Sequence, residues 1–80
     1  MAIVIFSSPQ RRYVNEEARI EIDAVRVDQL IQKLYTRYPD LAGKLDGAAV
    51  SIDGDLHSDG KFQPLGPESE VHFVGAIAGG

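Results

Sequence analysis

Cysteine and tryptophan are absent from this 80-residue chain, and no apolar run in it is long. Without cysteine the chain can form no disulfide and offers no thiol, so any covalent chemistry has to use another group. No stretch approaches membrane-spanning length, and the apolar segment from Met1 to Phe6 lacks the basic leader of a signal peptide. The expectation is a cytoplasmic protein with no membrane partner. Basic residues are also scarce, eight Lys and Arg against twelve Asp and Glu, which leaves a net charge of −4. That balance disfavours a nucleic-acid backbone as partner, and the only basic cluster, Arg11-Arg12, is too small to reverse it. A basic protein surface is the better match.

What is present is an ordinary globular composition, 44% hydrophobic and 25% charged, far from that of a disordered chain. Eighty residues support one core burying roughly 60 to 65% of the unfolded chain's surface, with no room for a second domain. Ala2-Ile3-Val4-Ile5-Phe6 is a β-branched run that suits a first strand covered on at least one face. Ser7 to Glu17, with Pro9 and mostly polar side chains, is expected to connect it to Ala18–Asp23, where alternation turns Ile20 and Ile22 inward.

From Val27 the period changes. Val27, Leu30, Ile31, Leu34 and Tyr38 recur at offsets of three and four and collect on one side of a helix. Asp28 suits its start, Lys33 and Arg37 its end, and Pro39 stops it. Leu41 and Leu45 are expected to cover the base of the core. Ala48 to Ile52 is strand-like, and Asp53-Gly54 is a turn dipeptide that opens a hairpin toward Leu56. Glu70–Val74 alternates as a last strand, with Val71 and Phe73 inward and Val74 outward. The expected fold class is α+β, in β-β-α-β-β order, with one helix packed across a mixed sheet. Residues 1–74 form the domain, and residues 75–80 a flexible tail with only one side chain larger than a methyl group.

The tail is the candidate chemical group. Glycines carry no Cβ, so Gly79-Gly80 is thin enough to thread a narrow channel into another protein's active site. The Gly80 carboxylate is a poor electrophile until a partner joins it to AMP, after which sulfide or a persulfide can displace the AMP and leave a thiocarboxylate. Ala78, Gly79 and Gly80 would enter the partner's active site.

The stretch Pro64-Leu65-Gly66-Pro67-Glu68-Ser69-Glu70-Val71-His72-Phe73-Val74, followed by Ala78-Gly79-Gly80, resembles the small subunit of molybdopterin synthase and thiamine-type sulfur carriers. The resemblance to these MoaD/ThiS-like proteins covers nearly the whole chain in order and spacing, including Val50-Ser51-Ile52-Asp53-Gly54, and is most specific in the C-terminal third. It implies a ubiquitin-like β-grasp fold, adenylation by an ATP-dependent E1-like enzyme, and sulfur carried as a thiocarboxylate on Gly80. The carrier itself would catalyse nothing and bind no cofactor; ATP would belong to the activating partner. A sulfur donor protein and a large synthase subunit would complete the set of partners, with molybdenum cofactor biosynthesis the first pathway. The same resemblance extends to carriers for cysteine, thiamine or transfer-RNA thiolation and to ubiquitin-like protein modifiers. An inert β-grasp interaction module is a third reading. One departure concerns the tail: the molybdopterin branch usually has two prolines where this chain has Gly75-Ala76, which implies a looser tail here.

Other constellations carry less. His57 and His72 lie on different expected strands with no cysteine nearby, so no metal site is expected from them. Asp55, His57, Asp59 and Gly60 imitate the first half of a calcium loop, but the twelfth position is Gly66 where a glutamate is needed. Glu16-Glu17 and Glu68-Ser69-Glu70 lack an apolar pocket to shift their acidity and read as solvated faces. No catalytic residue is assigned. Phe73, near the tail, is expected to pack in the core or touch a partner, and Val74, on the opposite face, is the better partner contact.

Overall fold

The computed structural model describes residues 1–75. Five strands form one mixed sheet: β1 (Ala2–Ile5), β2 (Arg19–Ile22), β3 (Ala49–Ile52), β4 (Asp55–His57) and β5 (Glu70–Val74). Their spatial order is β2-β1-β5-β3-β4, with β1 and β5 parallel in the middle and every other pair antiparallel. The last strand is thus the central one, bonded on both edges. The return arm of the hairpin pairs as a strand of its own, giving five where the expected β-β-α-β-β order counts four.

One main helix, α2 (Val27–Arg37), covers one face of the sheet. Val27, Leu30, Leu34 and Tyr38 are buried and Ile31 packs beside them, as their spacing requires. They meet Val4, Ile20, Ile22, Val50, Val71 and Phe73 from the sheet. Each large apolar side chain so buried contributes about 1.5–3 kcal/mol, which is why the amphipathic period and not helix propensity decides this element. The helix ends at Arg37 because Tyr38, before Pro39, turns to φ −127°. A 3-10 turn at Pro39–Leu41 then lays Leu41 and Leu45 under the core. The Asp53-Gly54 turn has positive φ at both residues, 51° and 90°, the conformation that matches strand twist in a two-residue hairpin.

One element departs from the sequence reading. Ser8–Arg11, expected as loop, is a single helical turn, α1. Its signal was the Ser7-x-x-Gln10 capping pattern with Pro9 in the first turn, where a missing N–H costs nothing.

Candidate functional site

Because β5 is central, the chain leaves the sheet from its middle, after Val74. Alternation along β5 sends Val71 and Phe73 under α2 and leaves Glu70, His72 and Val74 on the open face. The register extends that open face across all five strands: Arg19, Ile5, His72, Ser51 and Leu56 form one transverse row. Ile3 lies opposite Glu21 and Glu70, and Ala49 opposite Val74. The result is an apolar centre of Ile3, Ile5 and Ala49 extended by Leu56, 65% exposed, and Val74, 45% exposed. Arg19, Glu21, Glu70 and His72 frame it, with His72 Nε2 3.1 Å from Glu70 Oε1. Uncovered apolar side chains with a polar rim, ending where the chain departs, make this face the candidate docking surface.

The exit itself is built. Gln10 is 1% exposed; its Oε1 accepts the Ser7 N–H at 2.9 Å and its Nε2 donates to the Phe73 carbonyl at 2.7 Å. Gly75 follows at φ +89°, a left-handed conformation that proline's fixed φ near −65° forbids. The first of the two positions at which the molybdopterin branch is expected to carry proline thus holds a glycine in a conformation that excludes proline. Near Gln10 in sequence, Arg12 and Lys44 lie over the Tyr13 ring, 5.4 and 5.0 Å from its centroid, and Arg11 Nε donates to the Phe6 carbonyl at 3.2 Å.

The expected site residues are distributed unequally. Ala78, Gly79 and Gly80 lie outside the described residues. Phe73 is 3% exposed and its ring packs in the core, the first of the two roles expected for it. Val74 is on the surface. His57, paired with Val50, faces the helix side while His72 faces the open side, so the sheet separates the two imidazoles. Gly60, in the calcium-like segment, is held by packing, since a Cβ there would stand 2.1 Å from Val50 Cγ1. Among the described residues no cluster of three or more metal-ligating side chains occurs, and no helix is long and apolar enough to cross a membrane.

A groove of about 790 Å³ lies between α2 and the 58–62 loop, with Ile31, Tyr35, Ala48, Phe62 and Phe73 among its walls. Three of its polar side chains, Asp28, Tyr35 and Asp46, already have structural partners. The Tyr35 hydroxyl donates to Asp46 Oδ1 at 2.9 Å and accepts the Leu45 N–H at 3.0 Å. Burial and the Asp46 carboxylate push its pKa up to about 12. Asp28 accepts two bonds from the Arg26 guanidinium, at 2.5 and 2.9 Å, which holds its carboxyl below the usual range. The first contact ties α2 to the 45–46 segment, the second closes the helix start on itself, and the two do not converge on a ligand.

The family model of the ThiS family matches residues 3–80. No individually curated protein gives a significant match. Among solved structures, a chain of the Amycolatopsis orientalis BexX/CysO complex superposes with a TM-score of 0.80 at 16% identity, covering 100% of both chains. A Pyrococcus furiosus protein described as molybdopterin converting factor, subunit 1, gives 0.70 at 17% identity, over 90% of this chain and 92% of that one. SAMP1 from Haloferax volcanii gives 0.68 at 15% identity, over 99% and 98%. Identities this low speak to the shared ubiquitin-like β-grasp fold, whereas the family model spans nearly the full sequence. By that match and that fold, the chain belongs to the ThiS family, the ubiquitin-like sulfur carriers of the MoaD/ThiS type.

Proposed function

We propose that this carrier works through Gly80, adenylated by an E1-like activating enzyme and converted to a thiocarboxylate that donates its sulfur to a partner-held substrate. The observation that carries the reading is the family match, which runs through the Gly79-Gly80 pair to residue 80. The chemistry applies where Gly80 is the free end of the chain. Its carboxylate attacks the α-phosphorus of ATP, pyrophosphate leaves, and an acyl-adenylate forms. Hydrosulfide then attacks the acyl carbon; a C–S bond forms, the C–O bond to AMP breaks, and AMP departs with the electron pair. No redox change occurs in this sequence. A persulfide donor would add one S–S cleavage by a thiol.

Residues 1–74 serve as the docking body and residues 75–80 as the tail, of which Ala78, Gly79 and Gly80 enter the partner's active site. The activating enzyme would hold the open sheet face, with Val74 and Leu56 in the contact, and the glycines would cross the last narrow passage without side chains to obstruct it. ATP is the activating enzyme's cosubstrate, and this chain needs no cofactor of its own. Molybdopterin synthesis is the pathway we propose first, with a large synthase subunit receiving the tail. The similarity to the Pyrococcus furiosus molybdopterin converting factor subunit supports it. The more complete superposition on the BexX/CysO complex favours, as a second reading, delivery to a different sulfur-accepting enzyme. Incubation with each candidate acceptor, after thiocarboxylate formation, separates them: the first reading requires sulfur to appear in the pterin product and fails if only the other acceptor is sulfurated.

A further inference from the structure

We propose that Gln10 is a positioning residue for the reactive tail, its side-chain amide standing in for a rung of the β1–β5 ladder and setting the direction in which the chain leaves the sheet. The proposal rests on the carrier reading for its consequence, and on the described residues alone for its geometry.

Parallel strands exchange evenly spaced bonds, each strand using every second residue toward its neighbour. On the β1–β5 edge the series includes Ile3 N–H to the Ser69 carbonyl at 2.8 Å, in the register that places Ile5 opposite His72. Advancing both strands by four residues makes Ser7 N–H to the Phe73 carbonyl the corresponding rung. That direct bond is absent, because β1 ends at Ile5 and Ser7 opens α1. The Gln10 amide fills the place. Its oxygen takes the Ser7 N–H and its nitrogen feeds the Phe73 carbonyl, so the two groups are joined through one planar amide. The orientation is dictated by its partners, since a flipped amide would set donor against donor and acceptor against acceptor.

The position of this rung gives it its meaning. Phe73 is two residues before Gly75, whose φ of +89° turns the backbone away from the strand. Past Ile5, β1 no longer supports β5 on this edge, while β3 continues to Ala49 opposite Val74 on the other. Without Gln10 the Phe73 peptide would be held from one side only, and the departing segment could swing about that edge. With it, the exit is held on both sides, and more of the free molecules keep residues 73–75 on one course. A partner that accepts only that path binds more weakly in proportion to the fraction lost.

Two near-isosteric variants test this. Gln10→Met keeps the side-chain length and removes both bonds; Gln10→Glu keeps the acceptor for Ser7 and turns an oxygen toward the Phe73 carbonyl. Val14→Ala is the stability control, because Val14 is fully buried just after α1 and makes no contact in the amide bridge. Backbone nitrogen relaxation on the free protein should show order lost at Phe73, Val74 and Gly75 in both Gln10 variants and retained in Val14→Ala. In ATP–pyrophosphate exchange with the activating enzyme encoded in the same genome, the Gln10 variants should raise the KM for the carrier about tenfold, the size of one lost buried hydrogen bond, with kcat within about twofold. Unchanged order at residues 73–75 in Gln10→Met overturns the proposal, as does an equal KM rise in Val14→Ala. If the wild-type protein is not activated at all, the carrier reading fails, and the relaxation data still decide whether Gln10 holds the exit.

Discussion

Replacing Gly60 by alanine is the perturbation for which the structure gives the sharpest sign. Gly60 is buried against the sheet, and a Cβ built on its backbone would lie 2.1 Å from Val50 Cγ1 and 2.9 Å from His57 Cβ. Ordinary contact begins near 3.4 Å, so the new methyl group would overlap the valine by more than an ångström. Neither neighbour can retreat cheaply: Val50 is β-branched, packed between Phe73 and α2, and His57 is its partner across the β3–β4 ladder. Overpacking of this kind costs about 1–3 kcal/mol. The competing effect has the opposite sign, because a glycine in a conformation that alanine tolerates gains about 0.4–1 kcal/mol from a stiffer unfolded chain. Gly60 lacks the positive φ that would penalise alanine on its own, so packing alone decides the outcome. We expect Gly60→Ala to lower stability by about 2 kcal/mol, read as a fall in the urea midpoint of about 1 M at unchanged slope. Adding Val50→Ala should make room for the methyl group, so the double variant should be more stable than the sum of the single losses by at least about 1 kcal/mol. A Gly60→Ala protein as stable as the wild type would refute the packing described here.

Tyr35→Phe removes the acceptor of the Leu45 N–H and the donor to Asp46, and should cost about 1–2 kcal/mol in denaturant unfolding. The raised Tyr35 pKa gives this contribution a pH dependence: it is complete below the ordinary tyrosine value of 10 and is lost as pH rises through about 12, so wild type and Tyr35→Phe should converge in stability across that interval. Asp53 Oδ1 accepts the Glu70 N–H at 2.8 Å, and Asp53 has φ 51°, so Asp53→Ala should cost about 2 kcal/mol while Asp53→Asn recovers most of it. Charging the open face with Val74→Glu and Leu56→Glu should weaken the activating enzyme's affinity at least tenfold in a titration while moving the thermal midpoint by only a few degrees, both side chains being exposed.

Much of the fold was legible because its signals are local and periodic. The Val27–Tyr38 stripe, the alternation of Ile20 with Ile22 and of Val71 with Phe73, and the Asp53-Gly54 turn each state a conformation within a few residues. What escaped was non-local. α1 is one turn long, too short for a periodic signal, and its capping pattern coincides with residues that also read as loop. The role of Gln10 depends on a carbonyl 63 positions away, and that of Gly60 on a valine in another strand; neither partnership leaves a mark in the neighbouring sequence. Phe73 shows the converse: alternation assigned it inward correctly, and only its nearness to the tail suggested a surface role. The open apolar face was half visible. Val74 stood out by its place on β5, but the row that joins it to a common surface with Ile3, Ile5 and Leu56 needed the strand order, which places the last strand beside the first.

The central claim is that Gly80 carries sulfur. Intact mass spectrometry of the protein from its native host, with fragmentation to place the change, tests it directly. We expect a population in which one oxygen of the Gly80 carboxylate is replaced by sulfur, increased by incubation with the activating enzyme, ATP and a sulfur donor and abolished by deleting Gly79-Gly80. An unmodified Gly80 under all those conditions would contradict it.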